Sequence, residues 1–170
     1  LYYTLVWIWE RLVGSSEFDL RLLSLLLLAA TIPIVYLLGC QLLSSTHGLL
    51  GAALFALSPT SLYYAHCARS YALYTLAASV VLLGLSRTLC RAASATNLCI
   101  YVGGGALCIY THTSSVPLLG ACNLLAVVHL AVWRRWHEVR NWLIANMVLA
   151  AGGAPEAIAM LMQVTAGYQA

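Results

Sequence analysis

The chain has 170 residues, of which 62% are hydrophobic and 8% charged, with a formal net charge of +3 and no lysine. A soluble domain carries about 25% charged residues, so this composition excludes a soluble globular protein and implies one integral to a membrane. The arginines are scattered between apolar runs rather than lining one face, which excludes a nucleic-acid-binding surface.

Crossing a bilayer takes about 20 apolar residues. Residues 1–13 fall short of that, and Tyr2, Tyr3, Trp7 and Trp9 suit a headgroup belt, so a helix lying in the interface is expected there. Gly14-Ser15-Ser16 breaks it. Ser16 and Asp19 have capping-box spacing, and Glu17 and Asp19 suit the positive end of a helix. Spans are then expected over residues 20–43, 47–64 (closed or bent by Pro59), 69–89, 97–110, 116–133 and 140–154. The last ends near Gly152-Gly153 and Pro155. The expected fold is therefore an all-α membrane protein with about six transmembrane helices and an N-terminal interfacial helix. The chain opens on Leu1 with no signal-peptide pattern and is read as a piece of a longer protein.

Arginine placement sets the expected orientation. Counting the spans alternately, Arg87, Arg91, Arg134, Arg135 and Arg140 gather on one side, and Arg11, Arg21 and Arg69 on the other. The richer side is taken as cytoplasmic. Residues 64–71 and the Thr111-His112-Thr113 turn then share the outer side.

The most informative stretch runs from Ser58-Pro59 through Tyr63-Tyr64-Ala65-His66-Cys67-Ala68-Arg69-Ser70-Tyr71. An arginine at a membrane edge needs water, a counter-charge or an anion. A guanidinium fork can pair two phosphate oxygens, and the hydroxyls of Tyr64 and Tyr71 add donors. The competing reading is that Arg69 snorkels to headgroup phosphates. His66 and His112 are either donors, proton shuttles or metal ligands, or interfacial histidines bonded to loop backbone. His129 reads as a buried histidine bonded to a neighbouring helix.

Glu17 and Arg21, four apart, form a local helical pair, and Gly103-Gly104-Gly105 reads as close helix packing rather than a phosphate loop. The Trp133-to-Trp142 segment reads as a cytoplasmic anchor. The six cysteines show no CxxC or Cys/His ligand spacing, so neither a structural disulfide nor a metal site is expected. No Ser/His/Asp set occurs, so no catalytic residue can be named.

The Ser58-to-Leu73 stretch resembles the polytopic glycosyltransferases of the GT-C type, many bacterial members of which carry Ser-Pro and then Tyr-Ser-x-Glu-Ala-Arg-x-Tyr-Ala-Leu. Leu1-Tyr2-Tyr3, Gly14-Ser15-Ser16-Glu17-Phe18-Asp19-Leu20-Arg21-Leu22 and Tyr110-Thr111-His112 extend the resemblance to protein O-mannosyltransferase-like and aminoarabinose transferase-like enzymes. It implies a fragment of a larger transmembrane domain in a bacterial inner membrane, with its site facing outward. The implied partner is a polyprenyl-phosphate sugar donor, with membrane lipids around it, and the implied binding residues are Arg69, Tyr64, Tyr71, His66 and His112. His66 and Cys67 depart from the Gln-Glu found in many members, removing a carboxylate. The family's catalytic acid belongs upstream of Leu1, so the resemblance implies a chain inactive by itself and leaves any divalent metal to the full-length parent. The rival class is a non-enzymatic transporter or assembly subunit in which Arg69 binds an anion or a lipid.

Overall fold

The computed structural model describes the backbone of residues 1–167 and the side chains of residues 1–156 and 158. Among the described residues eight helices follow one another: α1 (Tyr2–Leu12), α2 (Glu17–Leu42), α3 (Ser45–Leu57), α4 (Pro59–His66), α5 (Tyr71–Cys90), α6 (Ala95–Ile109), α7 (Ser115–Val132) and α8 (Trp136–Gly167). No strand occurs among the described residues.

Local chemistry sets most boundaries. Gly14, at φ +141°, turns the chain between α1 and α2 through a conformation that favours glycine. The Ser16 hydroxyl accepts from the Asp19 N–H while the Asp19 carboxylate accepts from the Ser16 N–H, the reciprocal box expected from the spacing. Ser44 and Ser94 cap α3 and α6 by accepting from the His47 and Asn97 N–H groups, without the reciprocal bond. Pro59 takes the first position of α4, where its missing N–H costs nothing, and the chain bends by 50° between α3 and α4.

Among the described residues three helices are long and apolar enough to cross a membrane: α2, α5 and α7. The bent α3–α4 pair makes a fourth if it is counted as one span. The expected six are not reproduced on this criterion. At 15 residues α6 is about 22 Å long against a hydrocarbon core of about 30 Å. The expected end of the last helix near Pro155 is also corrected, because α8 continues to Gly167 with Pro155 inside it. The proline removes one N–H, and the Tyr110 hydroxyl donates to the adjacent Gly152 carbonyl at 2.6 Å, tying this turn of α8 to the end of α6. The third span begins at Tyr71 rather than at residue 69, so Arg69 sits in the α4–α5 linker.

Helix α5 is the centre, between α2 on one side and α6 on the other. Its Ala77, Val81 and Leu85 pack with Tyr101 and Cys108 of α6, Cys122, Ala126 and Leu130 of α7, and Trp142 and Leu149 of α8. Small residues set the α5–α6 distance: a Cβ on Gly84 would lie 2.6 Å from the Tyr101 backbone nitrogen. Within the glycine triplet, Gly104 faces Val80 and Val81 of α5 and Gly105 faces Leu149 of α8, while Gly103 faces open space. Close packing thus accounts for two of the three. A smaller cluster joins Leu28, Ala65 and Ala72 with Phe55 and Tyr64. All six cysteines are free thiols. His129 departs from expectation: it is half-buried and stacks on Trp133 of its own helix at 6.1 Å, rather than reaching a neighbouring helix.

Candidate functional site

Two of the bundle's ends carry polar clusters, and they lie at opposite ends of α5. At its N-terminal end the α4–α5 linker meets the α6–α7 turn. The Tyr64 and Tyr71 rings meet at a tilt with centroids 5.0 Å apart, Tyr71 meets His112 at 5.5 Å, and His112 meets Tyr74 at 5.5 Å, both also tilted. Tyr63 extends the series by an edge contact with Tyr64 at 5.5 Å. Tyr64, Tyr71 and His112, three of the five residues singled out from sequence, therefore come together in one aromatic row. Tyr74 was not singled out. It lies three residues after Tyr71, hence on the same helical face, and its hydroxyl donates to the Ser114 carbonyl at 3.0 Å.

His112 Nδ1 accepts from the Ser114 N–H at 3.1 Å. In neutral imidazole the proton then sits on Nε2, which leaves that nitrogen as the donor. His66 behaves otherwise: it is exposed, and its Nδ1 lies 2.7 Å from the Leu62 carbonyl of its own helix, the backbone-bonded arrangement.

Arg69 lines a cavity of about 360 Å³ with Tyr2, Tyr3, Ala68, Ser70 and Tyr71. Among the described residues no carboxylate pairs with it. The linker is fixed by two bonds, from the Arg69 N–H to the Cys67 carbonyl at 2.8 Å and from the Ser24 hydroxyl to the same carbonyl at 2.9 Å. Tyr2 is 6% exposed, and its hydroxyl is the buried side-chain atom left without a hydrogen-bond partner among the described residues. The cavity thus brings the Arg69 cation together with the two tyrosines that open α1. Beside it, sharing α1 and α5 as walls, lies an almost wholly apolar cavity of about 350 Å³ lined by Leu1, Leu5, Ile8, Leu27, Leu73 and Leu107. The part played by α1 was not legible, since its aromatic residues read equally well as a headgroup belt.

The other end of α5 holds a clasp. Arg135 donates to both carboxylate oxygens of Glu138 and to the carbonyls of Leu89 (2.8 Å), Thr88 (3.3 Å) and Arg91 (3.4 Å), while Glu138 also accepts from the Ala93 N–H. Within the Trp133-to-Trp142 segment Arg135 is therefore part of a built structural joint, while Arg134 and Arg140 are exposed.

Among the described residues no group of three or more His, Cys, Asp or Glu comes together to hold a metal ion. Comparison of the chain with family models, curated proteins and solved structures returned no match.

The two clusters make topology testable. Ser94 lies beside the clasp and Ser114 beside His112, and both are exposed. In a background lacking the six native cysteines, a cysteine placed at position 114 should be labelled by an impermeant reagent from outside the cell, and one at position 94 should not. Labelling at position 94 alone would reverse the orientation.

Proposed function

We propose that this chain is the donor-binding part of a membrane glycosyltransferase that takes a sugar from a polyprenyl phosphate. In this reading α1 lies in the interface, α6 and α8 complete six spans, and the Arg69 end faces outward from a bacterial inner membrane. The crossing of α6 is supported by its position: it leads from Ser94 beside the clasp to His112 beside the aromatic row, the same traverse that α5 and α7 make.

The observation that carries the reading is the pairing of two cavities. One is lined by Arg69, whose guanidinium has no acceptor of its own among the described residues, together with Tyr2, Tyr3, Ser70 and Tyr71. The other is aliphatic and adjacent. A phosphate monoanion or diester supplies acceptors for the first, and the start of a prenyl chain fills the second. The aromatic row from Tyr64 to Tyr74 offers ring faces and the His112 Nε2–H beside the phosphate, a surface suited to a sugar ring. These residues bind and orient the donor.

The bend at Ser58 is a feature that transporters also use. Here the break is flanked by Phe55, Leu57 and Pro59 and has no ionisable group at it, which favours the enzyme reading.

Arg69→Ala should weaken binding of a short-chain polyprenyl phosphate by about ten- to hundredfold, since a charge-assisted contact contributes about 1.5–3 kcal/mol. Arg69→Lys should recover part of that loss, because lysine keeps the charge and loses the planar fork. Titration of the purified protein in detergent micelles measures both. A lysine variant equal to wild type would reduce Arg69 to a headgroup contact, and an unaffected alanine variant would remove the site.

A further inference from the structure

Four polar side chains meet where α6, α7 and α8 converge, in surroundings that are otherwise apolar. The Trp142 indole N–H donates to Asn123 Oδ1 at 2.9 Å, and the Tyr101 hydroxyl donates to Asn146 Oδ1 at 3.2 Å. Asn123 Nδ2 donates to the Leu119 carbonyl at 2.9 Å and to the Tyr101 hydroxyl at 3.4 Å, while Asn146 Nδ2 donates to the Trp142 carbonyl at 2.9 Å. Tyr101 and Trp142 are fully buried, with rings 4.3 Å apart.

A side-chain amide has two donor hydrogens and an oxygen with two lone pairs. Asn123 uses both hydrogens. Asn146 uses one, so among the described residues it retains a free N–H, and each amide oxygen retains a lone pair. Both asparagines line a cleft of about 440 Å³ between α7 and α8, walled by Ile109, Val116, Leu119 and Leu149. That volume lies in the range of about 300–1,000 Å³ typical of small-molecule sites. Among the described residues no ionisable side chain lines it. A charged headgroup would find no counter-charge there and would lose its hydration without return. A neutral group able to use the spare valences gains, because an unmet amide in an apolar setting is costly.

We propose that this cleft binds an uncharged lipid through a terminal hydroxyl. One hydroxyl oxygen can accept from the free Asn146 N–H and donate to an amide oxygen, and the aliphatic walls take the chain. The site is separate from the Arg69 cavity, whose cation selects anions.

The test uses the purified full chain in lipid nanodiscs with dodecan-1-ol carrying a diazirine near its hydroxyl. Cross-links mapped by mass spectrometry should concentrate on α7 and α8 around Asn123 and Asn146. Unlabelled dodecan-1-ol should compete about tenfold better than dodecane or dodecyl phosphate. Ala150→Phe, which fills the cleft from its exposed rim while leaving both asparagines in the chain, should cut labelling about tenfold with the melting temperature unchanged. Asn146→Leu should erase the advantage of the alcohol over the alkane. Equal competition by dodecane, stronger competition by dodecyl phosphate, or undiminished labelling of Ala150→Phe would each overturn the proposal. Should Asn146→Leu fail to fold, the competition series and Ala150→Phe still decide it.

Discussion

Glu138→Ala is expected to lower the stability of the folded chain by about 3 kcal/mol, because it removes the buried member of a partly buried ion pair and leaves Arg135 without its counter-charge. Glu138 is 7% exposed, and its carboxylate accepts from both the Arg135 guanidinium and the Ala93 N–H. Arg135 in turn bonds the Thr88, Leu89 and Arg91 carbonyls at the end of α5. The last turn of a helix leaves four carbonyls without partners, so the pair fastens the C-terminus of α5 to the start of α8. Burial works against the charged form of Glu138, but the bonds from Arg135 and from the Ala93 N–H outweigh it and hold the carboxyl below its ordinary value. A carboxyl depressed in this way contributes stability that is fully present above its unfolded value and lost as pH falls through the folded one. Denaturation in mild detergent, followed by tryptophan fluorescence from neutrality down through the carboxylate range, should show that loss. Glu138→Gln, which keeps an acceptor and lacks the charge, should fall between wild type and alanine and flatten the acid limb. By contrast, Glu17→Gln should change stability by about 0.5 kcal/mol or less, since the Glu17–Arg21 pair is exposed. Equal effects at the two sites would show that the clasp does not fasten the bundle.

Some of this architecture was legible because it rests on local rules. The Ser16–Asp19 box, the Glu17–Arg21 pair and the break at Pro59 each depend on residues within one helical turn. Span alternation also placed His112 at the same end as Tyr71, and the two rings meet. What stayed hidden depends on which side of a helix faces inward. Helices α2 and α7 are apolar all round, so no amphipathic stripe distinguishes a lipid-facing leucine from a packed one. The Tyr101–Asn123–Trp142–Asn146 network and the acceptors of Arg135 join residues some 19 to 47 positions apart, beyond the reach of any periodicity. Arg135 and Glu138 are three apart and could have been paired from sequence, yet their burial could not. For Arg69 the sequence supplied the cation, and only the fold supplied Tyr2 across from it.

Gly84→Ala should destabilise the bundle by about 3 kcal/mol, although it adds a single methyl group. Its Cβ would lie 2.6 Å from the Tyr101 nitrogen, 2.8 Å from its Cα and 2.9 Å from its Cβ, and a backbone cannot swing aside as a flexible side chain can. Helices α5 and α6 would have to separate, and Tyr101, fully buried, would move with α6. Its hydroxyl bonds Asn146 and receives a bond from Asn123, so the displacement spreads to α7 and α8. Gly103→Ala is the matched control. It lies on the same helix as Tyr101, a Cβ there would meet nothing within 4 Å, and the gain in helix propensity should stabilise the chain by up to about 1 kcal/mol. Detergent unfolding of both variants, read by the fluorescence of the tryptophans that include Trp142, measures the difference. Coincident midpoints would mean that α5 and α6 do not approach this closely. A Gly84→Ala loss matched by a shift in Trp142 emission, with Gly103→Ala unchanged in colour, places the effect at the α5–α6 contact and its transmission through Tyr101.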